Sequence, residues 1–170
     1  MPEPAAPHWR DLDLVVYDFD GVMTDNRALI LPDGSEAVFV NRSDGLAVGK
    51  LHDLGVPQVI ISTEINEIVS TRAKKLQLPV YQGIGNKLEC LREVLLARAA
   101  SPEKTAYVGN DTNDLEAMRL VGWPIAPADA HPDILAVAKL VTQTRGGEGV
   151  IRELIDLLSV PTVDVRPQVG

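Results

Sequence analysis

Short apolar runs alternate with helical patterns along most of this chain, and this alternation limits the folds open to it. Three of the runs, at residues 14–16, 59–61 and 105–108, are typical of buried strands. The intervening segments carry apolar residues at helical spacing, most clearly residues 86–99. Strands that alternate with helices form a parallel sheet with helices on both faces. The sequence therefore predicts an α/β fold, a three-layer Rossmann-like parallel sheet.

The chain of 170 residues is the right length for one domain with a sizeable core. We predict that this domain spans residues 12–158 and that residues 1–11 and 159–170 are flexible ends. Pro32-Asp33-Gly34-Ser35 separates two β-prone runs, which predicts a β-hairpin over residues 27–40. No repeat or linker indicates a second domain.

Charge and cysteine content exclude several classes of protein. A net charge of −8 argues against nucleic acid as a partner, because phosphate backbones bind basic surfaces. Cys90 is the only cysteine, so an internal disulfide is impossible and a reducing compartment fits. The first ten residues hold no apolar signal segment, and no apolar run is long enough for a membrane span. These features predict a cytoplasmic protein with no membrane partner.

Two carboxylates, Asp18 and Asp20, leave the end of the first predicted strand. Side chains two residues apart on a strand lie on one face, and Gly21 permits a turn after them. Ligands of α/β sheets bind beyond the carboxyl ends of the strands. A first Asp at this position can attack phosphorus, and a second can protonate the leaving oxygen. An anionic substrate beside two carboxylates would also need a hard cation, most simply Mg²⁺.

Two alternatives for the Asp pair need no catalysis. Asp is common after strands as a turn residue or helix N-cap. An EF-hand calcium loop would need Gly and Glu at the positions held by Met23 and Leu29, so that alternative fails. The pair alone therefore leaves catalysis and a capping role about equally favoured.

Three further strand ends or helix starts carry polar residues. Ser62-Thr63-Glu64 follows the second run, where a hydroxyl can hold phosphate or simply cap a helix. Lys87 opens a helix, where the macrodipole disfavours a cation; it is either a neutralising charge or a solvated lysine. An oxygen-rich cluster ends the third run: Gly109-Asn110-Asp111-Thr112-Asn113-Asp114. Such a cluster suits a hard cation, and a capped turn explains only part of it.

Taken in order, these motifs resemble the haloacid dehalogenase superfamily of phosphatases. The resemblance implies that Asp18 is the nucleophile and Asp20 the general acid/base, with Ser62 and Lys87 as the other catalytic residues. It also implies Mg²⁺ held by the Asp18 carboxylate, the Asp20 backbone carbonyl and a residue of the last motif. The candidates there are Asn110, Asp111 and Asp114.

The chain also resembles a narrower, capless branch of that superfamily. This branch holds 3-deoxy-D-manno-octulosonate 8-phosphate (KDO 8-phosphate) phosphatases, phosphatases of nine-carbon 2-keto sugar acids, and the C-terminal module of acylneuraminate cytidylyltransferases. The resemblance implies a homotetramer with the hairpin between subunits. It also implies that Arg145, Gly146 and Gly147 reach a neighbour's substrate; the alternative is a Gly-rich turn. The signature stretches are Asp44-Gly45-Leu46, Tyr81-Gln82-Gly83, Ala128-Asp129-Ala130-His131-Pro132 and Arg145-Gly146-Gly147-Glu148-Gly149.

Three departures from the octulosonate pattern bear on the substrate. Ser43 and Glu64 stand where arginines are usual, and Asn110 replaces an Asp. Thr63 and Glu64 then suit a polyol or amino sugar, while Arg72, eight residues further on, could hold the substrate carboxylate. We therefore expect a phosphatase of small sugar-acid phosphates. A nine-carbon acid such as KDN 9-phosphate or N-acetylneuraminate 9-phosphate is slightly favoured over KDO 8-phosphate.

Two functions from other classes compete with this expectation. The chain could be a non-catalytic oligomerisation module or a sugar-phosphate-binding regulator. Neither needs Asp18, Asp20, Lys87 and Asp114 together.

Overall fold

A six-stranded parallel sheet forms the centre of the molecule. The computed structural model describes residues 6–159. Its strands are β1 (Leu14–Tyr17), β4 (Gln58–Ile61), β5 (Val80–Tyr81), β6 (Thr105–Val108), β7 (Trp123–Ala126) and β8 (Leu140–Val141). All neighbouring strands are parallel, in the order β5-β4-β1-β6-β7-β8.

Helices cover both faces of this sheet, so the predicted three layers are confirmed. The helices are α1 (Arg42–Asp53), α2 (Glu67–Leu76), α3 (Lys87–Arg98), α4 (Leu115–Leu120), α5 (Pro132–Val137) and α6 (Val150–Leu158). One core lies between the sheet and α1, α2 and α6, and the other between the sheet and α3, α4 and α5. Within β1, Val15 and Tyr17 face the first core, while Leu14 and Val16 face the second.

Strand β1 sits where the strand order reverses. The chain leaves β1 to form β4 on one side and later returns to form β6 on the other. Both neighbours pair with β1 along its length, and all three strands are fully buried. The crevice beyond the carboxyl end of such a central strand is where open α/β sheets bind ligands. Residue 18 follows β1 directly and therefore lies at this crevice.

The predicted hairpin forms, but its ladder is shorter than the sequence indicated. Only β2 (Leu29–Ile30) and β3 (Glu36–Ala37) pair, antiparallel, and an isolated bridge joins Thr24 to Val40 near the base. Leu29, Ile30 and Phe39 of this ribbon are exposed, whereas Val38 and Val40 pack against the first core. The hairpin is the insertion that follows β1, and the described chain contains no cap domain.

The last residues of the predicted flexible start form a turn. Trp9–Asp11 forms a 3₁₀ turn capped by His8, and Trp9 packs against the first core. Residues 1–5 and 160–170, which hold the rest of the predicted flexible ends, lie outside the described residues. Among residues 6–159, every helix is too short or too polar to cross a bilayer.

Candidate active site

Asp18 is the first residue after β1 and is almost completely buried. Its backbone N–H donates to the Val108 carbonyl at 2.9 Å, which extends the sheet pairing by one residue. Its Oδ1 accepts the Phe19 N–H at 2.7 Å. Phe19 points into the first core, so the chain alternates here as a strand would. This alternation aims Asp18 at the crevice rather than into the packed core.

Lys87 lies on the buried stripe of α3, not on its solvent face. The buried residues of that helix are Lys87, Cys90, Leu91, Val94 and Leu95. Leu88, next to Lys87, is apolar but only half-buried. The ammonium group of Lys87 lies 2.8 Å from Asp18 Oδ1 and 2.7 Å from Asp114 Oδ1. Its side chain is only 1% exposed, which rules out the solvated lysine.

Asp114 is fully buried, and each of its two carboxylate oxygens accepts two hydrogen bonds from protein groups. Oδ1 accepts from Lys87 and from the Tyr107 hydroxyl at 2.9 Å. Oδ2 accepts the backbone N–H groups of Asn110, at 3.0 Å, and Asp111, at 3.4 Å. Gly109 is required here, since a β-carbon on it would stand 2.7 Å from the Asp114 side chain. Asp114 therefore holds Lys87 and the β6 loop in place and has no oxygen to spare for a cation.

Burial and charge shape the ionisation of this group. Burial raises the pKa of Asp18, and the negative charge of Asp114 raises it further, while Lys87 opposes the rise. Burial alone would lower the pKa of Lys87, but the charges of Asp18 and Asp114 outweigh it and raise that pKa. Lys87 is thus a fixed cation. A second positive charge near Asp18 would lower the pKa of its carboxyl group further.

Asp20 stands at the mouth of an open cleft of about 370 Å³. It is half-buried, and its Oδ1 accepts a hydrogen bond from the Thr24 hydroxyl at 3.2 Å. Burial is the main cause of the raised pKa of Asp20. The cleft brings the predicted strand-end residues together; it is lined by Asp18, Asp20, Asn26, Ser62, Thr63, Asn110, Asp111, Thr112 and Asn113.

The second motif contributes one buried and one exposed hydroxyl. Ser62 is buried, and its Oγ accepts the Glu64 N–H at 3.1 Å, leaving its own proton free for a ligand in the cleft. Thr63 is exposed at the rim, with its hydroxyl 3.4 Å from the Asn113 amide. The Glu64 carboxylate accepts the N–H groups of Ile65 and Asn66, so it closes its own loop. It also lines a smaller pocket of about 200 Å³ that adjoins the cleft at Asp20.

Asn110 is the residue of the last motif that has an oxygen to offer a cation. Its Oδ1 is buried and has no hydrogen-bond partner, although the residue lines the cleft with Asp18. Asp111, by contrast, is exposed and caps its own turn through the Thr112 N–H at 2.7 Å. Within residues 6–159 no three His, Cys, Asp or Glu side chains converge as ligands. A cation here would therefore depend on an amide and a backbone carbonyl beside Asp18.

Arg72 lies away from the cleft. One guanidinium nitrogen donates to the Asn41 carbonyl at 3.0 Å, and the Asp44 charge acts on it from α1. The pocket it lines, beside Val40 and Lys75, is a different one from the cleft that holds Asp18. The expected link between Arg72 and a substrate carboxylate therefore gains no support from this geometry. Glu64 lies before the start of α2, so Arg72 does not share a helix with it, and the Arg72 side chain turns towards the start of α1 instead.

The Gly-rich segment 145–147 packs against its own chain. The Gly147 N–H donates to the Val22 carbonyl at 3.1 Å, and the Gly146 N–H donates to Asp129 Oδ1 at 2.9 Å. Arg145 is exposed, with Nε 3.5 Å from Asp129 Oδ2. Both glycine N–H groups are thus taken within one subunit. Their placement supports a role in holding the loop that carries Asp20, and the contact of the exposed Arg145 with a neighbour's substrate stays a prediction.

Thr24 and Tyr107 are site residues that the sequence analysis missed. Tyr107 was read only as a strand residue, and its hydroxyl contact with Asp114 depends on tertiary packing. Thr24 did carry a signal, because a Thr four residues after an Asp at a turn often bonds the intervening backbone. Asn26, two residues on, borders both the cleft and the smaller pocket.

Comparison with known proteins identifies the class to which this fold and cleft belong. Residues 57–154 match the family of haloacid dehalogenase-like hydrolases, and the chain belongs to that family. A KDO 8-phosphate phosphatase from Yersinia pestis is 35% identical over 149 residues, covering 87% of this chain and 80% of the relative.

Two solved structures extend the likeness to three dimensions. A Streptomyces avermitilis protein described as a HAD (haloacid dehalogenase) family hydrolase has a TM-score of 0.89 and 45% identity, covering 91% of this chain and 88% of its own. The KDO 8-phosphate phosphatase of Moraxella catarrhalis, solved with magnesium, phosphate and KDO, has a TM-score of 0.85 and 28% identity, covering 88% and 87%. The predicted superfamily and its capless fold are confirmed.

Proposed function

We propose that this protein is a Mg²⁺-dependent phosphatase that hydrolyses the phosphate monoester of a 2-keto-3-deoxy sugar acid. The observation that carries the proposal is the buried Asp18–Lys87–Asp114 cluster at the base of an open cleft. Burying a lysine between two carboxylates costs hydration free energy. A purely structural module would have no need of this lysine. Two of the three similar proteins named above are KDO 8-phosphate phosphatases, which supports the same class of substrate.

The residues of the cleft support a two-step transfer. An Asp18 carboxylate oxygen attacks phosphorus, the bond from phosphorus to the sugar oxygen breaks, and Asp20 gives its proton to that oxygen. Water then attacks the aspartyl-phosphate and loses a proton to Asp20, which releases inorganic phosphate and restores Asp18. Lys87 and the Ser62 hydroxyl offset and orient the charge of the phosphoryl oxygens.

The residues present fit a magnesium ion. Asn110 offers a buried, unpartnered Oδ1 on the same cleft as the Asp18 carboxylate, and the Asp20 backbone carbonyl completes an all-oxygen set. The ion supplies positive charge that lowers the pKa of Asp18 and screens the phosphate. Asp111 and Asp114 are engaged in the turn, so we assign the third protein ligand to Asn110.

The substrate's sugar would occupy the smaller pocket beside Asp20. Three carboxylates border this pocket, those of Asp20 itself, Glu36 from the hairpin and Glu64 from the β4 loop, and Asn66 contacts Glu36 at 3.3 Å. Arg27 is also among the lining residues. Such a lining offers acceptors to the hydroxyl or amide groups of a sugar, with one cation beside them. Because Ser43 and Glu64 replace arginines of the octulosonate pattern, a nine-carbon acid remains slightly favoured over KDO 8-phosphate.

A phosphate-release screen tests the proposal directly. The panel holds KDO 8-phosphate, KDN 9-phosphate, N-acetylneuraminate 9-phosphate and ordinary hexose 6-phosphates, each with saturating Mg²⁺. We expect kcat/KM for at least one sugar-acid phosphate to exceed that for the hexose phosphates by roughly tenfold or more. Equal rates across the panel would show a phosphatase with no preference for sugar-acid phosphates. Absence of turnover on every ester would favour the oligomerisation module instead.

Assembly into a homotetramer in the cytoplasm belongs to the same proposal. Leu29, Ile30 and Phe39 of the hairpin are 58%, 69% and 80% exposed on a ribbon with open edges. A two-stranded ribbon of this kind is marginal alone, and pairing with other subunits would cover it. We therefore place the hairpins of residues 27–40 at the subunit interface.

A further inference from the structure

We propose that Thr24 is a positioning residue for Asp20, and that segment 145–147 and Asp129 hold the Thr24 loop in place. The inference rests on the proposed role of Asp20 as the general acid/base. It concerns a hydroxyl, a carboxylate and two glycines that lie outside the cleft's reacting groups.

The Thr24 hydroxyl has a single direction left for its proton. The side chain is completely buried, and Oγ1 accepts the N–H groups of Gly21, at 3.3 Å, and Asn26, at 3.1 Å. A hydroxyl has two acceptor lone pairs and one proton. With both lone pairs facing N–H donors, the proton points to the remaining partner, Asp20 Oδ1, 3.2 Å away. Thr24 thus fixes one carboxylate oxygen of Asp20 and leaves Oδ2 to exchange the proton with the substrate.

The loop that carries Thr24 is itself held from below by two glycines. The Gly147 N–H donates to the Val22 carbonyl at 3.1 Å. A β-carbon on Gly146 would overlap the Gly21 carbonyl, and one on Gly147 would stand 2.5 Å from the Asp25 nitrogen. Gly147 also has a φ of +77°, which side-chain-bearing residues rarely adopt. Only glycines let the two backbones approach this closely.

Asp129 fastens this glycine segment to the sheet. It lies just after β7, and each of its carboxylate oxygens has a different partner. Oδ1 accepts the Gly146 N–H at 2.9 Å, and Oδ2 lies 3.5 Å from Arg145 Nε. The contacts therefore form an unbroken series from Asp129 through Gly146 and Gly147 to the Thr24 loop. This series of contacts holds Asp20 in its position at the mouth of the cleft.

A misplaced general acid has a signature that a merely damaged fold lacks. Protonation matters little when p-nitrophenolate leaves and more when phenolate leaves, because phenolate is the more basic anion. Loss of acid positioning should therefore lower kcat/KM for phenyl phosphate more than for p-nitrophenyl phosphate. A fall in the amount of folded enzyme lowers both rates equally.

The experiment compares Thr24→Val with Thr24→Ser on these two esters at saturating Mg²⁺. Thr24→Val keeps the shape but removes the hydroxyl, and we expect roughly a tenfold greater loss on phenyl phosphate than on p-nitrophenyl phosphate. Thr24→Ser keeps the hydroxyl and should retain the wild-type ratio. Thr105→Val is the matched control, since Thr105 is as buried and its hydroxyl bonds only the Ser101 carbonyl. An unchanged ratio in Thr24→Val overturns the proposal.

Two further variants keep the test decisive if Thr24→Val folds poorly or if Asp20 is not the general acid. Asp129→Ala alters a partly exposed side chain, and it should move the ratio in the same direction; an equal loss on both esters contradicts the role of Asp129. Asp20→Asn shows how far the ratio of kcat/KM for the two esters moves when the general acid is absent. If Asp20→Asn leaves the ratio unchanged, the proposed role of Asp20 fails. If Asp20→Asn changes the ratio and Thr24→Val does not, only this inference fails.

Discussion

The ammonium group of Lys87 lies 2.8 Å from Asp18 Oδ1 at a point that solvent hardly reaches. Both charges lose hydration there, and the pair persists because each compensates the other and Asp114 balances the second side of the lysine. Asp18, the proposed nucleophile, therefore lies beside a positive charge that is already in place.

Asp18→Asn should abolish turnover while the domain stays folded. An amide is nearly the same size but cannot attack phosphorus, and Lys87 keeps its contact with Asp114. The measurement is phosphate release at saturating Mg²⁺, with a thermal melt to verify folding. A variant that keeps more than a few per cent of wild-type activity would remove Asp18 from the role of nucleophile.

Asn110→Asp should tighten magnesium binding. The change turns a neutral, unpartnered oxygen into a charged one without altering its size, and hard cations bind carboxylates more strongly than amides. We expect the Mg²⁺ concentration for half-maximal activity to fall, with direct titration calorimetry as a second readout. Asn113→Asp, on the same cleft, is the matched control for added charge alone. Equal effects of the two changes would point to general electrostatics, and wild-type activity in excess EDTA would contradict any metal requirement.

Arg72→Ala should weaken the fold rather than substrate choice. Its guanidinium joins α2 to the Asn41 carbonyl at the start of α1, so its removal leaves that contact unmade. We expect a lower melting temperature and the same fractional loss of kcat/KM on a sugar-acid phosphate and on p-nitrophenyl phosphate. A selective loss on the sugar acid would restore Arg72 as a carboxylate ligand.

Phe39→Asp should give smaller assemblies and a lower kcat. Phe39 is 80% exposed on the hairpin, and a charge there would oppose burial at a subunit interface. Light scattering of both proteins at micromolar concentration gives the masses. Leu96→Asp is the control, because Leu96 is 85% exposed on α3 instead. A fully active wild-type monomer would overturn the proposed assembly.

Asp44→Asn should change how stability depends on pH. Burial raises the pKa of Asp44 from 3.8 to about 6, against the opposing N–H bonds from Arg152 and Ile151. The folded state then binds this proton more tightly than the unfolded state. The wild-type free energy of unfolding should therefore lose up to roughly 3 kcal/mol, relative to Asp44→Asn, as pH rises from about 4 through 6.

Urea unfolding at pH 4, 5, 6 and 7 measures this difference between the two proteins. Asp53→Asn, at the exposed far end of the same helix, is the matched control. A constant difference between wild type and Asp44→Asn over this range would show that Asp44 ionises alike in the folded and unfolded states.

The strand-end motifs were predictable because they depend on local pattern and one general rule. Asp18, Ser62 and Asn110 each follow an apolar run, and parallel strands bring their carboxyl ends to one edge. Lys87 was predictable as a helix-start lysine, and its position four residues before Leu91 also places it on the buried stripe.

What the sequence could not supply is the orientation of side chains after packing. Arg72 turns towards Asn41 because of the way α2 meets α1. The choice between Asn110 and Asp111 depends on which side chain caps the turn, and both residue types are good caps. The contact of Gly147 with Val22 joins segments near opposite ends of the domain, beyond the reach of any spacing rule.

That last contact also has a consequence for the order in which the enzyme is made. Asp18 and Asp20 leave the ribosome among the first residues of the domain, whereas Gly146 and Gly147 leave it almost at the end. A nascent chain halted before residue 145 would possess every proposed catalytic side chain, yet the loop that carries Asp20 would lack the contact from Gly147. Full activity would then arise only late in translation.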